Sequence, residues 1–278
     1  MRTRIVTDST AELPPSVVEA LDVVVLPQRI QIGSDSFLDD GTTRATELTK
    51  RLAKGRAAVS VNAPTAREFS DVYARLSHEA DAIISLHPAS GLNGAFQAAN
   101  LARRSILGHC QIHVIDSGLI SHALGVLVTE AAKAAHAGAE GAEVVRLVRG
   151  AMPRIYLAFY AETLDHMRRA GFVPQRRVAT EGGAALKPIF LLEDGQIVKL
   201  HRTRSRGTAV ERLSEFVGEF IALQELTILY SSVGPKTEPL EELLAQLLPN
   251  QAVTKRAYGP ALSALVGPNV LGIVAYES

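Results

Sequence analysis

Short runs of β-branched residues alternate with longer, Ala-rich amphipathic segments through the first half of the chain, the pattern of strands and crossover helices around a mainly parallel sheet. RIVTDST, DVVVLPQRIQI, DAIISLH and QIHVIDS read as strands. PPSVVEAL, TAREFSDVYARLSHE, LNGAFQAANLARRSI and ALGVLVTEAAKAAHAG read as the helices between them, the last stopped by Gly138. GAEGAEVVRLVRGAMPR reads as a further helix that delivers the chain to the strand RIYLAFYA, which places a domain boundary near residue 150. Beyond it the pattern changes. PIFLLEDGQIVKL is two strand runs joined by Asp194-Gly195, a hairpin signal, and AVERLSEFVGEFIAL, ELTILYSS, EPLEELLAQLL and VLGIVAYE follow as helix, strand, helix and strand. The pattern predicts an α/β protein of two domains: residues 1–150, a three-layer, mainly parallel sheet with helices on both faces, and residues 151–278, an α+β domain.

A chain of 278 residues that is 47% hydrophobic is long enough to bury two such cores. Lys plus Arg and Asp plus Glu are 29 each, so no global field draws the protein to nucleic acid or to an anionic membrane, and any partner is recognised locally. The single cysteine, Cys110, allows no internal disulfide and no cysteine metal cluster, which suits a reducing compartment. MRTRIVTDST reads as a first strand rather than a secretory signal, and no apolar run approaches the ~20 residues that cross a bilayer. The expected location is the cytoplasm. His109 and His113 are four apart in HCQIHVID, but in a strand that spacing separates them by ~13 Å, so no metal site is expected there.

Candidate chemistry concentrates in SLHPASGLNGAFQAAN, residues 85–100, where a buried-type strand gives way to a helix within a few residues. At such a junction free backbone N–H groups and the positive end of the helix dipole converge outside the carboxyl ends of the strands. Gly91 and Gly94 admit close approach of a ligand, and Ser90 and Asn93 offer a hydroxyl and an amide to an anion. Helix capping by Ser90 or Asn93 explains the same residues equally well. The loop has neither the Lys-Ser/Thr ending of a P-loop nor a third dinucleotide-binding glycine. Asp8, Ser9, Thr10, Asp116 and Ser117 end strands on the same side of the sheet. They line the cleft or, as the plainer reading, cap helices and tie loops through backbone N–H groups. His87 reads as a strand-end histidine bonded to backbone. An acyl hydrolase with Ser90 as nucleophile and His87 and Asp8 or Asp116 as partners is the competing reading, opposed by the lack of a G-x-S-x-G elbow. HRTRSRG, residues 201–207, reads as a solvated basic face or a dock for an acidic partner.

TDSTAELPP, HPASGLNGAFQAA, HVIDS, ETLDHMRRAG, LKPIF and GPNVLGIVAY together, in that order along almost the whole chain, resemble the signatures of the DegV family. The resemblance implies two α/β domains holding a long-chain fatty acid, with its carboxylate at the polar loop and its tail in an apolar tunnel formed with the second domain. It also implies presentation of that carboxylate to a separate fatty acid kinase, with no cofactor, no metal and no catalysis by this chain. Peripheral membrane contact during lipid exchange fits the same role. On this resemblance the carboxylate-binding serine is Ser90, with the Gly91 N–H behind it. The family's Thr-Ser pair becomes Val61 and Asn62, its His-Thr-Gly-Pro run becomes Leu265, Val266, Gly267 and Pro268, and its Arg after ETL becomes Phe172, with Arg168 and Arg169 in the preceding turn. The expected ligand-binding set is Ser9, Val61, Asn62, Ser90, Gly91, Asn93, Leu265 and Gly267. With Val61 and Leu265 in polar positions, a divergent member that holds another acyl or anionic ligand is the alternative.

Overall fold

The computed structural model describes residues 2–40, 44–54, 59–106, 108–172, 186–231 and 233–278. They form two compact units. One comprises Met1–Arg44, Ala57–Pro153 and Asp194–Gln196, and the other Ala45–Arg56, Arg154–Glu193 and Ile197–Ser278.

In the first unit, β1 (Thr3–Asp8), β2 (Val24–Leu26), β6 (Ala82–His87) and β7 (Gln111–Asp116) make a parallel sheet in the order β2-β1-β6-β7. Every residue of β1 and β6 is buried, as expected of central strands covered on both faces. Alternation along β6 assigns the faces. Ile83 packs with α3 (Ala66–Leu76) and α4 (Ala95–Arg103) in one apolar cluster with Val6, Phe69, Tyr73 and Ala99. Ala82 and Ile84 meet α6 (Gly141–Ala151) on the other side, so closely that a Cβ on Gly141 would stand 2.5 Å from that of Ala82. Ser85 and His87 share the face of Ile83, and so two polar side chains stand against α3. The mainly parallel α/β fold is the one that the alternation of strand and helix signals implied.

Two details differ. The run DVVVLPQRIQI is two strands in two sheets, because Pro27 has no N–H for a ladder. β2 ends before it, and β3 (Gln28–Ile32) after it pairs antiparallel with β4 (Asp35–Asp39) and β5 (Val59–Asn62). The VNAP segment is therefore the end of a strand, with Val61 opposite Ile30 and Asn62 opposite Arg29. HCQIHVID is strand only from Gln111, so His109 and His113 share no face. Among the described residues no three His, Cys, Asp or Glu side chains gather closely enough to hold a metal ion.

The second unit is a six-stranded mixed sheet, in the order β10 (Gln196–His201), β9 (Ile189–Glu193), β8 (Ile155–Ala161), β13 (Val270–Glu277), β11 (Leu223–Tyr230) and β12 (Val253–Ala257). The β9–β10 turn has positive φ at both Asp194 (48°) and Gly195 (74°), the geometry for which Asp-Gly is suited. α8 (Arg206–Gly218) and α9 (Glu238–Leu247) cover one face through Val210, Leu213, Val217, Leu240 and Leu244. The remaining helices are α1 (Pro15–Ala20), α2 (Arg44–Lys54), α5 (His122–His136), α7 (Asp165–Arg169) and α10 (Pro260–Val266), and among the described residues no helix is long and apolar enough to cross a membrane.

Candidate functional site

The loop from β6 to α4 leaves the carboxyl end of the parallel sheet and coils once before the helix begins. The N–H groups of Leu92 and Asn93 both return to the Ala89 carbonyl, at 2.9 and 3.1 Å. α4 has Gly94 at its cap position, and the side-chain cap comes from the residue before it: the Ala95 N–H donates to Asn93 Oδ1 at 2.9 Å. The N–H groups of Gly94, Phe96 and Gln97 have no acceptor among the described residues, so the positive end of α4 is open to an anion.

Ser90 sits earlier in the turn, half-buried, and its N–H is directed at the Asp116 carboxylate (3.2 and 3.3 Å), which also accepts from Gly118 N–H at 3.1 Å. Asp116 thus ties two loops together through backbone, as its place at the end of β7 suggested. Its negative charge makes the Ser90 end of the turn a poorer place for an anion than the α4 end. The Ser90 hydroxyl carries no hydrogen bond among the described residues, and Gly91 is exposed. Ala63, which follows Asn62, comes within 3.8 Å of the position a Cβ on Gly94 would occupy, so the end of β5 lies beside the start of α4. Asn62 itself is exposed, its amide 3.5 Å from Ser60 Oγ, and Val61 is half-buried.

Beneath this loop the sheet carries a continuous buried polar relay. The β1–β6 register pairs Val6 with Ser85, so two residues on Asp8 lies opposite His87. Tyr73 O–H donates to Ser85 Oγ at 2.7 Å, Ser85 Oγ lies 2.7 Å from His87 Nε2, and His87 Nδ1 lies 2.8 Å from Asp8 Oδ2. Asp8 Oδ1 accepts from Thr10 N–H (3.1 Å), Thr10 O–H (2.5 Å) and Gln28 Nε2 (2.9 Å). Gln28 Oε1 in turn accepts from Asn93 Nδ2 at 3.1 Å. His87 therefore bonds side chains rather than backbone, and its own carbonyl accepts from Ser117 Oγ and N–H at 2.7 and 3.1 Å. The Ser–His–Asp order of a hydrolase triad is present, but its serine is Ser85, fully buried and already accepting from Tyr73. No hydrogen bond joins Ser90 to His87 among the described residues. Burial raises the Tyr73 phenol above its ordinary range, so it stays a proton donor.

Ser9 is committed to a second branch. Its hydroxyl donates to Asp39 Oδ2 at 3.1 Å and accepts from Gln28 N–H at 3.0 Å. Burial lifts Asp39 to about 6, with Asp40 and Asp8 adding to the rise and the Ser9 bond opposing it. Gln28, Asp39, Ser85 and Tyr73 were not singled out from sequence. The available signal was a polar residue in an otherwise apolar alternating series, Gln28 with Ile30 and Ile32, and Ser85 and His87 with Ile83.

In the second unit, α10 ends at Gly267, whose φ of 100° favours glycine and whose Cα is covered by the His166 ring, 3.1 Å from a Cβ placed there. Tyr258 O–H donates to the Gly267 carbonyl and accepts from Val270 N–H, both at 3.0 Å, fixing the turn. Leu265 is half-buried on α10. Burial, with Arg169 nearby, holds His166 below the usual histidine range. Arg168 pairs with Asp165 at 3.1 Å, and Glu162 pairs with Lys187 and with Arg206 (2.7 Å). Phe172 is half-buried.

Comparison with known proteins places this architecture. A family model described as an uncharacterised protein of the DegV family matches residues 2–278. A DegV domain-containing protein of Streptomyces coelicolor is 30% identical over 274 residues (97% of this chain, 96% of the relative), and one of Deinococcus radiodurans 27% over 277 (98% of each). Among solved structures, a DegV family protein from Thermus thermophilus described by its fatty acid binding has a TM-score of 0.84 at 25% identity, covering 100% of both chains. A fatty acid binding DegV family protein from Streptococcus agalactiae reaches 0.90 at 20% identity, over 100% of this chain and 99% of that one. Matched from Arg2 to Ser278 in sequence and over its full length in fold, the chain belongs to the DegV family.

Proposed function

We propose that this protein is a carrier that binds one long-chain fatty acid in the cytoplasm and presents its carboxylate to a separate kinase, without catalysing a reaction itself. The observation that carries the reading is the full-length likeness, at 25% identity, to the Thermus thermophilus protein described by its fatty acid binding. The geometry of the first unit supports it. The start of α4 offers unpartnered N–H groups and the Asn93 amide within a loop flanked by Ser90, Gly91, Val61 and Asn62, a donor set suited to one carboxylate. Leu265 and Gly267 are the remaining members of the proposed contact set, which Ser9 joins only by giving up its bond to Asp39. The kinase and exchange of lipid at a membrane surface rest on the family resemblance alone. Native mass spectrometry of protein purified from cells, with extraction and analysis of bound lipid, is expected to show one long-chain acyl group per polypeptide. Protein that carries no acyl chain and binds neither oleate nor palmitate in titration would overturn the reading.

A further inference from the structure

The buried relay ends on the loop that the proposed function uses, and the proton inventory of its members decides how it ends. Asp8 Oδ1 can only accept, so the Gln28 atom facing it is the NH₂ group, at 2.9 Å. The Gln28 oxygen is then the atom left for Asn93, which must offer its own NH₂ at 3.1 Å and turn Oδ1 to the Ala95 N–H at 2.9 Å. Neither amide can flip without opposing two donors or two acceptors in a region where buried polar groups are costly to leave unpaired. Asp8 is held in turn by Thr10 and His87, His87 by Ser85, and Ser85 by Tyr73 on α3. Asp8, Gln28, Tyr73, Ser85 and His87 are fully buried, and Asn93 is 7% exposed. Of the two Asn93 amide hydrogens one goes to Gln28, and the other has no acceptor among the described residues.

We propose that Gln28 is the positioning residue of the head-group site: by fixing the Asn93 amide it presents the second Nδ2 hydrogen, beside the open N–H groups of Gly94 and Phe96, to the carboxylate of the bound acid. The inference rests on the fatty-acid reading and adds a residue that touches no ligand. Its consequence is selectivity for a carboxylate over a neutral head group. A hydroxyl can accept one hydrogen bond from the same place but gains little from several aligned donors and a helix terminus, whereas a carboxylate gains from each.

The test compares palmitate with hexadecanol, for the wild-type protein and for Gln28→Met, Asn93→Ala and the double variant, in parallel with thermal unfolding. The wild-type protein is expected to prefer the acid. Gln28→Met is expected to lower acid affinity about tenfold or more, the loss expected when a charged hydrogen bond is misdirected, while leaving alcohol affinity within about twofold. Asn93→Ala is expected to do the same, and the double variant to lose no more than Asn93→Ala alone, because Gln28 acts through Asn93. A role confined to folding would lower the melting temperature and shift acid and alcohol together. An unchanged acid-to-alcohol ratio in Gln28→Met, or additive losses in the double variant, would overturn the inference while the fatty-acid reading stands. A wild-type protein that binds neither lipid would overturn the fatty-acid reading and this inference with it.

Discussion

Asp39 is the residue at which burial and charge are most openly opposed. It ends β4 almost out of contact with water, with Asp8 and Asp40 as carboxylate neighbours and the Ser9 hydroxyl as its described donor, and its pKa rises from 3.8 to about 6. A carboxyl whose pKa is higher folded than unfolded binds its proton more tightly in the native state, so its contribution favours folding below about pH 4, is lost as pH rises through about 6 and is flat above that. At 1.36 kcal/mol per unit the effect is about 3 kcal/mol at most. Asp39→Asn keeps the shape and removes the titration. It is expected to stabilise the protein at neutral pH and to be nearly neutral near pH 4, and urea unfolding of the two proteins across that range measures the difference. Equal stabilities at neutral pH would refute the account. The same residue shows what was legible of the site. Asp8, Ser9, His87 and Asn93 stood out as polar residues at the ends of strands or the start of a helix. Gln28 and Asp39 did not, because their partners are set by the registers of three different strand pairs, which no local window contains.

Most elements with strong periodicity were read from sequence; α2, α7 and α10 and the short strands β4, β5 and β12 were not. α3 announces itself by a capping box, with Thr65 and Glu68 exchanging side-chain and backbone hydrogen bonds while Arg29 holds Glu68 down to about 2. β4 and β12, with the sequences DSFLD and VTKRA, show little apolar alternation because each presents most of its length to solvent, and VSVN of β5 alternates but over only four residues. Two helical glycines show how packing overrides propensity. A Cβ on Gly125 of α5 would collide with the Ala11 carbonyl oxygen, a backbone atom that cannot step aside, whereas one on Gly150 of α6 would meet nothing within 4 Å. Gly→Ala in an open helix position gains roughly 0.5–1 kcal/mol. Gly150→Ala is therefore expected to raise the unfolding free energy by about that amount, and Gly125→Ala to lower it by roughly 1–3 kcal/mol as α5 is pushed from β1 and the turn after it. Denaturant titration of both variants checks the pair, and a stabilised Gly125→Ala would mean that α5 can shift freely.

At the scale of the whole molecule, opposite charges balance at 29 each, and the donors proposed for the head group are neutral: backbone N–H groups and the Asn93 amide. Two consequences follow for a bound carboxylate. Long-range attraction is small, so the association rate has little field for salt to screen. On the proposed reading the tail would be held by burial of apolar surface, which salt does not weaken and excluded salts strengthen. Affinity for a fluorescent fatty-acid analogue, kept below its critical micelle concentration, is therefore expected to change by less than about threefold between roughly 0.05 and 0.5 M salt, a range over which the Debye length falls from about 14 to about 4 Å. A head group clamped by a cation behaves differently, since an exposed ion pair is screened over the same range. In the second unit Arg168, Lys187 and Arg206 already pair with Asp165 and Glu162, so each of these three would have to leave an ion pair to serve a ligand. An affinity that falls tenfold or more with salt would show that a cation clamps the head group, and that neutral donors at the start of α4 are not what holds the acid.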